Sequence, residues 1–256
     1  MAWTLEEYSK AHGYTPAVVT GKPIELGGSE GREEATGHWV AHLTALAARE
    51  LGLELRGARV VVQGFGNVGW HAARALEARG ARIVALADSR AAVHRAEGID
   101  VEGARRHRQR TGSLEGLPET EPLTPEALLA VPCDVLVPAA VGCVIHGGNA
   151  GQVRAALVVE AANMPVTHEA DAILRTRGVA VLPDLLANAG GVLASYYEWV
   201  QNLQEFPWSR TTVLRRLERV HAEVRELARE QGVDLRTAAY ELAVRRVARA
   251  VGLRGL

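Results

Sequence analysis

Three glycines, spaced as Gly64-x-Gly66-x-x-Gly69, constrain the fold of this chain more than any other feature. The apolar run 60–62 leads into them, and a helical pattern over 71–78 follows. This order of strand, glycine turn and helix is the dinucleotide-binding fingerprint. The first glycine permits a tight turn, the second lets a pyrophosphate approach the backbone, and the third lets the helix lie close to the strand. We expect the phosphate cradle to consist of Gly64, Phe65, Gly66, Asn67, Val68 and Gly69.

The next apolar run, 82–87, ends at an acid, Asp88, nineteen residues beyond Gly69. An acid at the end of the second strand can accept hydrogen bonds from the ribose hydroxyls of an adenosine, and it would repel a 2′-phosphate. Asp88 and its neighbour Ser89 are therefore predicted to lie against the cofactor, with NAD favoured over NADP. The competing interpretation is an α/β turn whose glycines serve packing only, and it does not require an acid at this position.

The composition argues against several other classes of protein. The chain has 256 residues and a net charge of −1, so no broad basic field indicates nucleic-acid binding. No apolar run is long enough to span a bilayer, and no signal peptide is recognised. Cys133 and Cys143 both lie in apolar sequence and are predicted to be buried free thiols, which favours a cytoplasmic location. His38 and His42 are four residues apart but have no evident third ligand, so no metal site is predicted.

Strands alternate with helices from residue 59 to residue 183. This pattern predicts an α/β fold of the Rossmann-like, doubly wound kind: a mainly parallel sheet with helices on both faces, followed by a helical C-terminal segment. Strands are expected over 60–63, 83–87, 134–138, 157–160 and 179–182. Helices are expected over 1–12, 33–51, 67–78, 100–110, 167–177, 192–201, 211–231 and 235–251, with a loop at 13–32 and a proline-rich connection at 118–125. Polar clusters follow five of the strands and should converge on one edge of the sheet.

Six segments together resemble the glutamate dehydrogenases, which interconvert glutamate with 2-oxoglutarate and ammonia. They are 1–3, 18–29 together with Glu34-Ala-Thr-Gly37, 62–69, 133–140, 158–163, and Pro183-Asp-Leu-Leu-Ala-Asn-Ala-Gly-Gly-Val192 together with 195–202. Their order and spacing agree with the family throughout, so the resemblance covers essentially the whole chain.

The resemblance implies roles for individual residues in and beyond the glycine motif. Thr36 would face the nicotinamide and the substrate, Asn67 the pyrophosphate, and Asn163 and Asn188 the nicotinamide ribose and carboxamide. Ala139 and Ala140 would flank the cofactor. Val192 and Ser195 would line the pocket for the substrate side chain, where a serine hydroxyl favours a dicarboxylic amino acid.

Three of these residues also have purely structural interpretations. Thr36 could cap the start of a helix. Asn188 could be a turn residue beside the glycines that follow it. Ser195 could hydrogen-bond the backbone of its own helix.

The resemblance also implies a further domain and catalytic residues that are not seen in this sequence. In the family a substrate domain comes first and carries the catalytic lysine and a proton-shuttling aspartate. Lys10 and Lys22 are the only lysines, and neither stands in that motif. One local departure is that the family's Arg-Gly after Ala-Thr-Gly is His38-Trp39 here. We therefore predict that 1–36 is the end of a substrate domain with its hinge, 37–200 the dinucleotide-binding domain, and 201–256 the C-terminal helices.

Three functional interpretations follow. The chain is the cofactor-binding part of a glutamate dehydrogenase, weakly active or inactive alone. Alternatively, it is a non-catalytic regulatory subunit that assembles with a full-length dehydrogenase. The third is an active dehydrogenase with unusual chemistry. Homo-oligomers and hetero-oligomers both remain open, glutamate or 2-oxoglutarate is the expected substrate, and nucleic acid and membrane are not expected partners.

Overall fold

The fold is a mainly parallel α/β sandwich, as predicted. The computed structural model describes residues 1–255, leaving aside the side chain of Arg210. The strands are β1 Arg59–Gln63, β2 Arg82–Ala87, β3 Ala92–His94, β4 Glu121–Leu123, β5 Val135–Pro138, β6 Leu157–Val159 and β7 Ala180–Leu182. The helices are α1 Ala2–His12, α2 Ala35–Glu50, α3 Asn67–Glu77, α4 Val101–Thr111, α5 Pro125–Leu129, α6 His168–Thr176, α7 Asp184–Ala187, α8 Ala189–Gln204, α9 Arg210–Gln231 and α10 Leu235–Leu253.

The seven strands form one sheet in the order β4-β3-β2-β1-β5-β6-β7. The chain winds outwards from β1 on one side, then returns past β1 to build the other side. Strands β2, β1, β5, β6 and β7 pair in parallel. Their carboxyl ends therefore meet along one edge, and the topology reverses between β1 and β5. Ligands of open α/β sheets bind at such a switch point.

Both faces of the sheet are covered, which explains why its strands are continuously apolar. In β1 the side chains of Val60 and Val62 join one buried cluster with α2 and α3. The side chain of Val61 points the other way into a second cluster, which contains Leu128 of α5 and Leu174 of α6. The alternation along a single strand thus divides the core into two layers.

Two short strands were not predicted. β3 and β4 are antiparallel to their neighbours and form one outer side of the sheet. Each has only three residues, and β4 contains Pro122 within the expected proline-rich connection. A proline in a strand is tolerated at a sheet edge, where its missing N–H leaves no ladder bond unmade. The expected loop 13–32 also contains two single turns of 3₁₀ helix, Pro16–Val18 and Ile24–Leu26.

The two cysteines differ from the prediction in one respect. Both are free thiols, but only Cys133 is buried, and Cys143 is exposed. Cys143 lies in a surface turn after β5 with a φ of 58°, so its apolar sequence neighbours do not enclose it. Burial raises the pKa of Cys133 to about 12, which makes this thiol unreactive.

A buried ion pair ties the loop before α2 to helix α8. The ammonium of Lys22 lies 2.7 Å from a carboxylate oxygen of Glu198, and both side chains are fully enclosed. Glu198 also accepts hydrogen bonds from the backbone N–H groups of Gly21 and Lys22. Lys22 is therefore a structural residue.

Within residues 1–255, no helix has both the length and the apolar character needed to cross a membrane.

Candidate cofactor-binding site

The glycine turn lies at the switch point of the sheet. Gly64 follows β1 with a φ of +103°, in the left-handed region that favours glycine. A Cβ atom at Gly64 would lie 2.6 Å from the backbone nitrogen of Ala140, just beyond β5. Only a glycine allows the ends of the two strands to approach this closely. Ala139 and Ala140 are thereby placed beside the turn, and their contact with a cofactor stays a prediction.

Gly69 and Gly66 serve opposite purposes. A Cβ atom at Gly69 would lie 1.8 Å from the carbonyl oxygen of Gly64, so helix α3 packs directly on the turn. A Cβ atom at Gly66 would meet no atom within 4 Å among residues 1–255. Gly66 is the N-cap of α3, and none of the described side chains caps it. The first N–H groups of α3 therefore have no side-chain cap among the described residues, an arrangement that suits a pyrophosphate.

The remaining cradle residues support this turn. Phe65 is buried in the core and Val68 packs against it. The side-chain amide of Asn67 donates a hydrogen bond of 2.8 Å to the carbonyl oxygen of Glu33, just before α2. Asn67 thus links the cradle to the helix that carries Thr36. A direct contact of Asn67 with the pyrophosphate stays a prediction.

Asp88 is almost fully enclosed, although the motif predicts an acid that contacts a ribose. Its side chain is only 3% exposed. Its oxygens accept hydrogen bonds from the backbone N–H groups of Arg90, Ala91 and Leu114, and Leu114 lies at 2.7 Å. Burial works to raise the pKa of Asp88, but these hydrogen bonds outweigh it and lower the pKa below its ordinary value. The carboxylate is therefore charged, and it fastens the end of β2 to the loop after α4, while Ser89 beside it is exposed.

Sequence reasoning missed two arginines near this end of the cleft. Arg105 and Arg108 of α4 line a cleft of about 210 Å³ together with the cradle and Trp70. The Arg105 guanidinium stacks on the Trp70 ring, with its carbon 3.3 Å from the ring centroid. Arg108 lies 3.6 Å from the Asp88 carboxylate. No local pattern in α4 indicates which of its arginines turn inwards.

The two asparagines assigned to the nicotinamide end are brought together. The side-chain amide of Asn188 donates a 2.6 Å hydrogen bond to the side-chain oxygen of Asn163 and a longer one to the carbonyl of Ala162. Asn163 follows β6, and Asn188 ends α7 after β7. Two strand ends therefore present one amide pair at the edge predicted for the cofactor.

A buried ionic network holds this amide pair in place. The fully enclosed carboxylate of Glu160 receives two hydrogen bonds from the Arg236 guanidinium, at 2.7 and 3.1 Å. It also accepts from the N–H of Asp184 at 2.7 Å, and Asp184 in turn accepts from the N–H of Met164. Burial raises the pKa of Glu160, and Arg236 offsets part of that effect. Arg236 belongs to α10, so the C-terminal helix fixes both asparagine turns.

The residues assigned to the substrate pocket meet at the start of α8. A Cβ atom at Gly191 would lie 2.4 Å from the Thr36 hydroxyl, so Thr36 packs against this turn of α8. Thr36 is inside α2, whose N-cap is Glu34, and it is therefore not the helix cap. The Ser195 hydroxyl donates to the carbonyl of Gly191 and accepts from Nε of Arg32 at 2.7 Å. The serine thus bonds its own helix and also lies beside a cation that sequence reasoning missed.

Val192 is 75% exposed, one turn before Ser195 on α8. Its side chain is available to line a pocket, and that role stays a prediction.

The histidines show a grouping that sequence spacing did not reveal. His38 does not pair with His42, whose ring lies 2.8 Å from Glu218 of α9. Instead, donor atoms of Glu34, His38 and His71 all lie within 4.8 Å of one another. The sequence spacing could not reveal this group, because His71 comes from α3, which packs across α2.

The fold and this edge define a Rossmann-type nucleotide-binding protein. Residues 27–255 match the family model of the Glutamate/Leucine/Phenylalanine/Valine dehydrogenases. The chain belongs to this family of amino-acid dehydrogenases, which are NAD(P)-dependent oxidoreductases.

The chain is 48% identical to the glutamate dehydrogenase of Thermotoga maritima over 262 aligned positions, covering all of this chain and 63% of that protein. It superposes on the hetero-hexameric glutamate dehydrogenase of Thermus thermophilus, in its Leu-bound form, with a TM-score of 0.95 and 44% identity, covering 62% of that chain. For the enzyme of Peptoniphilus asaccharolyticus the values are 0.82 and 35%, again with 62% covered. The chain thus spans somewhat less than two thirds of the length of these relatives.

Proposed function

We propose that this chain is the cofactor-binding part of an enzyme that oxidatively deaminates glutamate to 2-oxoglutarate and ammonia. The observation that carries the proposal is the convergence on one sheet edge of an uncapped glycine cradle and the Asn163–Asn188 amide pair. A nicotinamide dinucleotide would rest its pyrophosphate on the cradle and its carboxamide and ribose against the amides. When bound, it supplies a hydride acceptor or donor.

The family resemblance and the Thermotoga and Thermus relatives support glutamate as the substrate. The chain's own contribution would be the pocket at the start of α8. There the guanidinium of Arg32, which lies just before α2, contacts the Ser195 hydroxyl. Thr36 lies in the first turn of α2. A guanidinium and a hydroxyl together can hold the distal carboxylate of a dicarboxylic amino acid. Thr36 would then orient the substrate against the nicotinamide face.

The acid–base chemistry would come from elsewhere. Lys22 is enclosed with Glu198, and its ammonium also donates to the carbonyl of Val19. Lys10 is exposed on α1 and pairs with Glu7. Neither lysine lies in the site built above, so we assign proton transfer to the part of the relatives' length that this chain does not span. Losing a general acid–base typically lowers the rate by about 10²–10⁴-fold, and losing substrate positioning lowers it further.

We further propose that the cofactor is NAD rather than NADP. Asp88 is charged and lies at the end of β2, where the adenosine ribose is expected. Because its oxygens are occupied by backbone donors, we expect it to act through its charge and through placing Ser89 more than by direct hydrogen bonding. Arg108 partly neutralises that charge, so we expect discrimination against NADP to be moderate.

A second candidate is a regulatory subunit of a hetero-oligomeric dehydrogenase. It is favoured by one observation: the hetero-hexameric Thermus thermophilus enzyme superposes on the whole of this chain. This candidate predicts that the chain co-purifies with a longer relative from its own cells. The first candidate requires no such partner, and a cytoplasmic location fits both.

One experiment on the purified chain tests the proposal. NADH is titrated by energy transfer from tryptophan to the nicotinamide, since Trp70 lies beside the cradle. Then 2-oxoglutarate and ammonium are added and the loss of NADH is followed. We expect saturable binding with little or no turnover. No binding would overturn the cofactor site, and ordinary turnover would show that residues of this chain supply the proton transfer.

A further inference from the structure

A compact group of donor atoms lies between α2 and α3, apart from the cofactor contacts described above. Glu34 is the N-cap of α2, and His38 lies one turn further along that helix. His71 belongs to α3. A Cβ atom at Gly37 would lie 2.5 Å from Cβ of His71, so the glycine lets the two helices approach closely. This contact places the His71 ring beside Glu34 and His38.

The imidazoles in this group carry nitrogens that protein groups do not satisfy. His71 is only 6% exposed, and its ring packs edge-on against Trp70. Nδ1 of His71 and Nε2 of His38 are both enclosed, and neither has a hydrogen-bond partner among the described residues. Buried polar groups without a partner are rare in native proteins, and each calls for an explanation such as a bound ion.

We infer that Glu34, His38 and His71 form a binding site for a divalent transition-metal ion of the zinc type. Two imidazoles and a carboxylate are ligands that Zn²⁺ accepts, and three protein ligands leave a fourth position for water. The three donor atoms lie within 4.8 Å of one another. Tetrahedral coordination at about 2.1 Å places ligands about 3.4 Å apart, so a small contraction completes the site.

The distance between Glu34 and His38 favours this assignment over a simple hydrogen bond. Nε2 of His38 lies 3.8 Å from Oε2 of Glu34. That separation is too long for a hydrogen bond but is close to the spacing of two ligands on one ion. The side chains of His38 and Glu34 are 20% and 25% exposed, so an ion can enter from solvent, whereas His71 closes the inner side.

A metal ion here would link α2 to α3. α2 carries Thr36, and α3 begins at the phosphate cradle. Binding would therefore fix the two helix starts relative to each other and raise the thermal midpoint of the protein. The inference rests on the donor group alone and does not depend on the proposed function, because metal binding is measured without NADH or substrate.

The test is a titration of the untagged, chelator-treated protein with Co²⁺, followed by visible absorption. We expect saturation at one equivalent with the intense bands of four- or five-coordinate cobalt, displacement of those bands by Zn²⁺, and a raised thermal midpoint. Glu34→Gln and His38→Gln should each weaken binding by more than about 100-fold, since even an indirect partner of a ligand is typically worth 10–100-fold. Both residues are partly exposed, so these variants should fold.

His168→Gln is the matched control, because this exposed histidine at the start of α6 lies outside the group. It should bind Co²⁺ as the unmodified protein does. Absence of saturable bands would overturn the site. Bands that persist at full strength in both Glu34→Gln and His38→Gln would overturn it equally, since the ion would then be bound elsewhere.

Discussion

The two ends of the proposed cofactor cleft, a phosphate end and a nicotinamide end, are built in different ways. The phosphate end comes from one continuous segment, 64–69, whose shape follows from close backbone contacts at Gly64 and Gly69. The nicotinamide end joins Asn163 and Asn188, which follow different strands. Its turns are fixed from outside by Arg236, through buried Glu160. One end depends on local sterics, and the other depends on an ionic contact made from the C-terminal helix.

This difference indicates how each end should fail. A side chain added at the phosphate end creates a clash with backbone, which cannot move aside cheaply. A side chain removed at the nicotinamide end leaves a buried charge without its partner, which is costly for a different reason. Substitutions at each end separate these cases.

The largest effect is expected from Gly69→Ala. The new methyl group would lie 1.8 Å from the carbonyl oxygen of Gly64, so α3 must shift away from the turn. We expect a loss of about 5 kcal/mol or more in the free energy of unfolding, at the extreme of single substitutions. Urea or thermal denaturation followed by circular dichroism measures it. A loss below about 1 kcal/mol would contradict the close packing of α3 on the turn.

Gly66→Val is the matched comparison within the same turn. A Cβ atom at this position meets no atom of the described residues within 4 Å, and the backbone at Gly66 is extended, which suits a β-branched residue. We expect nearly unchanged stability but loss of NADH binding, because the valine would occupy the space predicted for the pyrophosphate. Intact binding in Gly66→Val would place the phosphates elsewhere.

At the nicotinamide end, Arg236→Ala should cost about 3–5 kcal/mol of unfolding free energy, as expected when one partner of a buried pair is removed. Glu160 would keep its buried position while losing both guanidinium hydrogen bonds. NADH binding should weaken in the variant that still folds at low temperature, because the turns carrying Asn163 and Asn188 lose their anchor.

Two further variants sharpen that result. Arg245→Ala removes an exposed ion pair with Glu241 on the same helix, and we expect a change within about 0.5 kcal/mol. The double variant Arg236→Met with Glu160→Gln removes both charges of this pair, while Asp171 and Asp184 lose the guanidinium that lies 3.3 and 3.5 Å away, so the variant should recover part of the loss. If the double variant is as unstable as Arg236→Ala, the unpaired charge of Glu160 is not the cause.

The C-terminal helices should also differ from the phosphate end in their response to acid. His221 of α9 is buried, and its enclosure lowers its pKa to about 4. In the unfolded chain the imidazole takes up its proton near pH 6.5, so the unfolded state binds more protons between these values. His221 therefore stabilises the fold fully above about pH 6.5, and that contribution is lost as the pH falls towards 4, about 3 kcal/mol in total.

Denaturation curves at several pH values measure this dependence. His221→Leu should flatten it between pH 6.5 and 4, whereas His168→Gln, at an exposed position, should leave it unchanged. His71 has a pKa lowered by burial too, so some acid sensitivity should remain in His221→Leu. An unchanged profile in His221→Leu would mean that His221 has the same pKa in the folded and unfolded states.

The parts of this molecule that could be predicted from sequence are those set by local backbone geometry. The spacing of Gly64, Gly66 and Gly69 predicted the turn, and the apolar runs predicted the five parallel strands. The short strands β3 and β4 were missed because three residues at a sheet edge carry no periodic signal, and one of those strands contains a proline.

The contacts that could not be predicted join residues that are far apart in the chain. Arg236 and Glu160 are separated by 76 residues, and Arg32 and Ser195 by 163. Nothing local distinguishes these arginines from the others on the same helices or loops. His71 is similar, since its position beside His38 depends on how α3 packs across α2. Which side chains pair between two elements depends on how those elements pack. The spacing of residues in a single sequence does not reveal that packing.

Asp88 offers the smallest expected effect. It gives the finest test of the difference between the two ends, because it makes both local contacts and contacts with residues far along the chain. It lies at the end of β2, where the motif predicts a ribose acid, yet it fastens Leu114 and pairs with Arg108 of α4. Asp88→Asn keeps the size of the side chain but turns one acceptor into a donor facing N–H groups, at a cost of about 1–3 kcal/mol. It also leaves the Arg108 guanidinium without its counter-ion.

We therefore expect Asp88→Asn to bind NADH more weakly and NADPH more tightly, so that the ratio of the two dissociation constants moves towards NADPH. Titrating both cofactors against both proteins measures this ratio, and stability is measured in parallel by denaturation. A loss of stability with an unchanged ratio would make Asp88 a structural acid only. In that case the phosphate end would share the dependence on distant partners that distinguishes the nicotinamide end.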